Sequence, residues 1–283
     1  MEIYYVLLYF FVYGFLGWCG EVAFAAIKQR KFVNRGFLNG PICPIYGIGI
    51  VSVVAVLEPL MDNSIMLYLG SAVLVTTLEW ITGFLLEKLF HHKWWDYSNM
   101  PLNLNGYVCV PFSLVWGAAC VVIVRYIHPL IYRVLALPPM WTGKLLLVIL
   151  LLLLIADLYV TVKEIFKLTR RLKKMEEIAA ELQNLSEQIG NNISRNVLEG
   201  LEKQESTKQK AEDRRNQAEA LVEEQKVKLE ELKLKYCELL EGQSFASRRL
   251  MKAFPKMKPG RYKKQFLDIK EYLMKKVESK KEK

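Results

Sequence analysis

Two glutamates, Glu21 and Glu79, stand inside long apolar runs of this chain, where a carboxylate must be paired, protonated or turned toward water. Each has the chemistry of an acid, a base or one charge of an ion site. Arg35, Asn39, Asp96 and Asn105 are the charged and amide groups placed to join them, and these six form a candidate polar membrane site. The plainer reading is structural: hydration near an interface, or pairing with Arg35 or a loop amide that fixes the bundle. Asp157, near the end of another apolar run, either extends the network or is simply hydrated.

A second set of donors, Lys28, Arg30, Lys31 and Arg35, falls in one short loop that also holds Gly36 and Gly40. Such donor density beside glycines suits an anionic headgroup or phosphate. The alternative is a basic loop that sets topology and holds lipid headgroups without selectivity. Gly-Lys-Ser/Thr is absent, so it is not a P-loop. In the loop His91 to Ser98, Trp94, Trp95 and Tyr97 read as interfacial anchors. Adjacent histidines diverge on a helix, and no Cys-x-x-Cys or His-x-x-x-His spacing occurs, so neither a metal nor a cofactor is expected. The five cysteines read as reduced packing residues. The stretch Ser247 to Lys256 is basic with apolar interleaving; it suits an anionic leaflet or an acidic partner, and no nucleic-acid recognition motif accompanies it.

The elements that must carry these groups follow from segregation along the chain. Of 283 residues 52% are hydrophobic and 24% charged, and the two populations divide at Val162. Residues 1–162 form the expected membrane domain, 163–241 a coiled-coil region, and 242–283 a basic amphipathic end with 14 Lys and Arg against 4 Asp and Glu. Crossing a bilayer takes about 20 helical residues. Five runs qualify: Ile3 to Ile27, Pro41 to Leu60, Ile65 to Leu86, Tyr107 to Ile127 and Thr142 to Val162. The fold class is therefore all-α and polytopic, and the first run reads as a retained span. Basic residues cluster after the first, third and fifth runs, which places the N-terminus outside and the tail in the cytoplasm.

Two halves echo one another. Glu21 precedes Asn39-Gly40-Pro41-Ile42-Cys43, and Glu79 precedes Asn105-Gly106-Tyr107-Val108-Cys109, which suggests a parallel internal repeat. In the tail, Leu168, Leu172, Met175, Leu182, Leu185 and Ile189 keep one heptad seam, and Ala218, Val222, Leu229, Leu232, Tyr236 and Leu239 another. The polar stretch Gly190 to Gln217 between them permits either a fold-back hairpin or a continuous helix that dimerises.

The run Asn34 to Gly47, with Trp94-Trp95-Asp96-Tyr97-Ser98 and Asn103 to Cys109 leading to Ser113 and Trp116-Gly117, resembles the bacterial family of type IV ABC-transporter permeases, CmpB-like. The resemblance covers about Phe10 to Ile131 and extends to Arg248-Arg249-Leu250 and Ala253-Phe254-Pro255. It implies a permease-like subunit in the inner membrane that works with a separate ATPase. Five spans are few for a transport path, so a homodimer or other oligomer, or a second membrane subunit, is expected, with membrane lipid as a further partner. Two other readings stand beside it: a membrane enzyme acting on a lipid or isoprenoid headgroup with the glutamates as acid and base, and a membrane-anchored coiled-coil scaffold.

Overall fold

Backbone polar groups in lipid must be paired within the protein, which makes helices of long apolar runs. The computed structural model describes residues 2–202, 208–260 and 262–278, with side chains for all of these except 196–215, 218, 259, 277 and 278. The chain divides into two units, one of Met1–Lys167 with Ser244–Arg261, the other of Leu168–Gln243 with Tyr262–Lys283.

In the first unit, α1 (Ile3–Gln29) and α3 (Ser64–Phe90) each run 27 residues. Both end on a left-handed residue, Arg30 and His91, and Asn63 caps the start of α3 by accepting from the Ile65 and Met66 amides. Each is followed by a loop and a 13-residue helix capped by cysteine with proline in its first turn: α2 (Pro44–Val56) and α4 (Val110–Val122). Thus the two halves share a plan. A π-helical turn, Ile123–Ile127, joins α4 to α5 (His128–Leu135), and α6 (Met140–Glu202) follows.

Among the described residues four helical stretches are long and apolar enough to cross a membrane: Ile3–Gln29, Ser64–Phe90, Val110–Leu135 and Met140–Arg195. The protein is an all-α polytopic membrane protein, and exposed Phe15, Val73, Leu145 and Leu152 present apolar surface for lipid to cover. The run Pro41 to Leu60, expected to span, falls short. Its helix rises only about 20 Å against the roughly 30 Å of hydrocarbon. The cause is the preceding loop, which returns beside α1 until the Cys43 amide meets the Gly14 carbonyl at 2.9 Å. Only then does α2 begin, and it ends near Tyr9 and Tyr13.

The core joins these pieces. Tyr9 and Tyr13 of α1, Ile50, Val53 and Val54 of α2, Leu67 of α3 and Cys120 of α4 are buried together. Leu147 of α6 packs on Leu8 and Phe11. The closest approaches use glycine: a Cβ at Gly17 would lie 2.4 Å from the Tyr46 ring, and one at Gly47 would lie 2.4 Å from the Phe10 carbonyl oxygen.

After α8 (Phe245–Ala253), the short strand β4 (Lys258–Pro259) pairs antiparallel with β1 (His92–Lys93), while β2 (Asn103–Leu104) and β3 (Val108–Cys109) pair within the second loop. In the second unit, α6 continues through Gly190, and α7 (Lys208–Glu241) runs antiparallel beside it. Lys228 pairs with Glu181 at 3.3 Å and Asn192 donates to Gln225, so the two faces meet within one chain. Leu168, Leu172, Met175, Leu185 and Leu232 are the buried seam residues; the side chain of Ala218 and the connection between the helices lie outside the described residues. Along α9 (Lys263–Glu278), Tyr236 of α7 hydrogen-bonds Asp268.

Gly47→Ala should lower the thermal midpoint of the detergent-solubilised protein, at a cost of about 1–3 kcal/mol, because a backbone oxygen opposes the new methyl. Gly20→Ala, with nothing within 4 Å of its Cβ, should leave the midpoint unchanged.

Candidate functional site

The loop from Arg30 to Cys43 has no regular structure yet lies against helices, so its polar groups need specific partners. Asn34 receives the Trp18 indole N–H and the Gly36 amide on its Oδ1 and donates to the Asn39 carbonyl. Asp157 of α6 accepts from the Asn39 amide at 3.0 Å, the Asn39 side chain at 2.8 Å and the Gly40 amide at 2.7 Å; Thr161 adds a further oxygen to Asn39. The loop is thereby held at a fixed height on α6.

This placement sets Arg35 against Glu21 at 3.0 Å, with both side chains about three-quarters shielded. Tyr46, on the first turn of α2, donates to the other oxygen of Glu21 at 2.6 Å. Glu79 comes from α3 to the same centre: Glu21 and Glu79 both act electrostatically on the Tyr46 hydroxyl and on Tyr97. Burial, then the negative fields of Glu79, Cys109 and Glu21, push the Tyr97 phenol above its ordinary value, while Arg35 opposes them. Among the described residues Glu79 has no hydrogen bond or ion pair. The centre therefore holds Glu21, Arg35 and Tyr46 in direct contact, with Glu79 and Tyr97 within electrostatic range.

The remaining expected members lie elsewhere. Asn39 serves Asp157, and Asn105 contributes its carbonyl to Lys93 at 2.7 Å. Asp96 lies in a separate cluster, accepting from the Ser98 amide and hydroxyl and pairing with Lys258 at 2.6 Å. Burial alone would raise the Asp96 carboxyl, but the hydrogen bonds from Lys258 and Ser98 overcome it and hold the group well below the carboxylate range. Of the four basic residues expected in one loop, Lys28 lies on the last turn of α1 and, like Arg30 and Lys31, stays exposed, whereas Arg35 is committed to Glu21. Among the described residues no group of three His, Cys, Asp or Glu is placed to hold a metal.

The basic segment Ser244–Arg261 docks on these loops. Arg249 donates to the Gly36 carbonyl at 2.8 Å and the Phe37 carbonyl at 3.0 Å, and Ser244 donates to Glu164 at 2.7 Å while capping α8. Trp94, 3% exposed, meets Phe37 and Phe254 edge-on, so it is a packing residue instead of an interfacial anchor. The strap thus ties the first loop to the second. Thr161 and Lys258 were not singled out from the sequence, Tyr46 stood there only within the resembling run Asn34 to Gly47, and Arg249 only in the basic stretch and the resembling Arg248-Arg249-Leu250.

A family model described as "Putative ABC-transporter type IV" matches residues 8–162. No curated protein and no solved structure matches the chain.

Burial, and then the neighbouring His91, lower the His92 imidazole from 6.5 to about 4 within the β1–β4 ribbon. Unfolded, it protonates near its ordinary value, while in the ribbon it stays neutral until about pH 4. The ribbon should therefore be fully stable above pH 6.5 and lose stability as pH falls from 6.5 toward 4. Hydrogen-exchange protection over residues 244–260, corrected for intrinsic rates, should show that decline, and His92→Gln should flatten it. Arg249→Ala should reduce protection of the strap at every pH.

Proposed function

The chain belongs to the ABC-transporter type IV family, and from that membership we propose that it is a permease-like membrane subunit driven by an ATPase on another polypeptide. One observation carries the reading: Glu21, Arg35 and Tyr46 from the first half meet the field of Glu79 and Tyr97 from the second. Two carboxylates against one guanidinium leave a negative charge that a proton or a bound cation must balance, which suits a site that cycles. Asn39, Asp96 and Asn105 act around this centre by holding the loops. Basic residues after α1, after α3 and along α6 favour an N-terminus outside and a tail in the cytoplasm of the inner membrane. In that orientation Lys28, Arg30 and Lys31 meet anionic headgroups. Four long helices with the short α2 enclose little space, so a homodimer or a second membrane subunit completes the path. The α6–α7 pair, with its heptad faces, serves as a coiled-coil docking element for such partners.

Affinity purification of the full-length chain in mild detergent from its own host should recover an ATPase in near-stoichiometric amount; its reproducible absence would overturn the dependence on ATP. In the recovered complex, Glu21→Gln and Glu79→Gln should each lower ATP turnover by about tenfold or more with the partner retained. Undiminished turnover in both would remove the carboxylates from the working cycle.

A further inference from the structure

At the end of α1 opposite Glu21, a cavity of about 400 Å³ is lined by Glu2, Tyr5, Tyr9, Glu58, His128 and Tyr132, with Val54 and Met61 as its apolar wall. Tyr9 and Glu21 are about 18 Å apart along the helix, so the two centres are separate. The aromatic rings form a continuous lining. Tyr5 lies 6.2 Å from Tyr9 and 5.9 Å from Tyr132, and Tyr9 lies 4.7 Å from His128. His128 is fixed in turn by a 2.9 Å hydrogen bond with Tyr13, and the π-helical turn Ile123–Ile127 immediately precedes it. Such turns often accompany functional sites.

The charge of this lining has one sign. Among the described residues neither Glu2 nor Glu58 has an ion pair, and no lysine or arginine lines the cavity. Arg125 approaches only the backbone oxygens of Met61 and Asp62, at 2.9 and 3.1 Å. Aromatic faces attract cations through their quadrupoles, most strongly for weakly hydrated alkylated ammonium groups, and carboxylates at the rim add a longer-ranged pull. A hard metal ion would ask for more oxygen ligands in fixed geometry than two rim carboxylates offer.

We propose that this cavity binds an alkylammonium group, presented either by a free organic cation or by a lipid headgroup. Tyr5 and Tyr132 supply the aromatic faces, with buried Tyr9 packed behind them, and Glu2 and Glu58 neutralise the charge. The site stands independently of any ATPase partner.

Equilibrium dialysis of radiolabelled choline against the purified full-length chain in dodecyl maltoside tests it. Saturable binding near one choline per chain is expected. The Glu2→Gln/Glu58→Gln double variant should bind about tenfold more weakly, as should Tyr132→Leu, whose side chain is half exposed and not needed for the core. In nanodiscs, choline binding that persists in phosphatidylglycerol but is suppressed in phosphatidylethanolamine identifies the headgroup as the source, whereas equal binding in both identifies a free cation. No saturable binding in micelles or in phosphatidylglycerol discs, or binding unchanged in both variants, would overturn the proposal.

Discussion

The Asp157 carboxylate, accepting the amides of Asn39 and Gly40, is the contact on which the membrane unit depends. A non-helical segment alongside transmembrane helices survives only if each of its polar groups finds a partner inside the protein. Asp157, Thr161, Asn34 and Arg249 supply those partners along the loop, and the Gly14 carbonyl receives its last amide at Cys43. Because the loop climbs halfway along α1 before α2 begins, α2 is short. For the same reason Arg35 arrives beside Glu21 and does not stay with Lys28 and Arg30 at the loop's exposed start.

The spans of α1, α3 and α6 were legible because long apolar runs declare themselves by composition, and the change at Val162 coincides with the end of the family match. The Pro41 to Leu60 run misleads because hydropathy measures apolarity and not conformation; an extended segment sheltered by protein scores like a helix facing lipid. Glu21 and Glu79 were legible because a carboxylate in an apolar run is anomalous wherever it occurs. Their phenol partners were not, since tyrosine is ordinary at membrane interfaces. Contacts such as Arg249 with Gly36, 213 residues apart, leave no mark in spacing at all.

Charge sign likewise says little about partner. The stretch Ser247 to Lys256 has the composition of a leaflet-binding segment, yet Arg249 seeks carbonyl oxygens and Phe254 an indole of the same chain. A guanidinium offers several donors in a fixed fork, and two adjacent carbonyls of the loop satisfy it as well as a phosphate would. Folding decides between such partners by proximity: the strand pairing of Lys258 with Lys93 holds the strap where Arg249 can reach.

Ile50, Val53, Leu67 and Cys120 are buried in one cluster with Tyr9 and Tyr13, which continues to the wall of the tyrosine-lined cavity. The α1–α2 seam is the natural place for movement. There Gly14, Gly17 and Gly47 let backbone meet side chain or backbone directly. A shift of α2 along α1 would act at once on Tyr46, and through it on Glu21, while its far end moves Val54 at the cavity wall. The short second helix therefore touches both polar centres, as α1 does, and it can do so because the loop before it is not a helix.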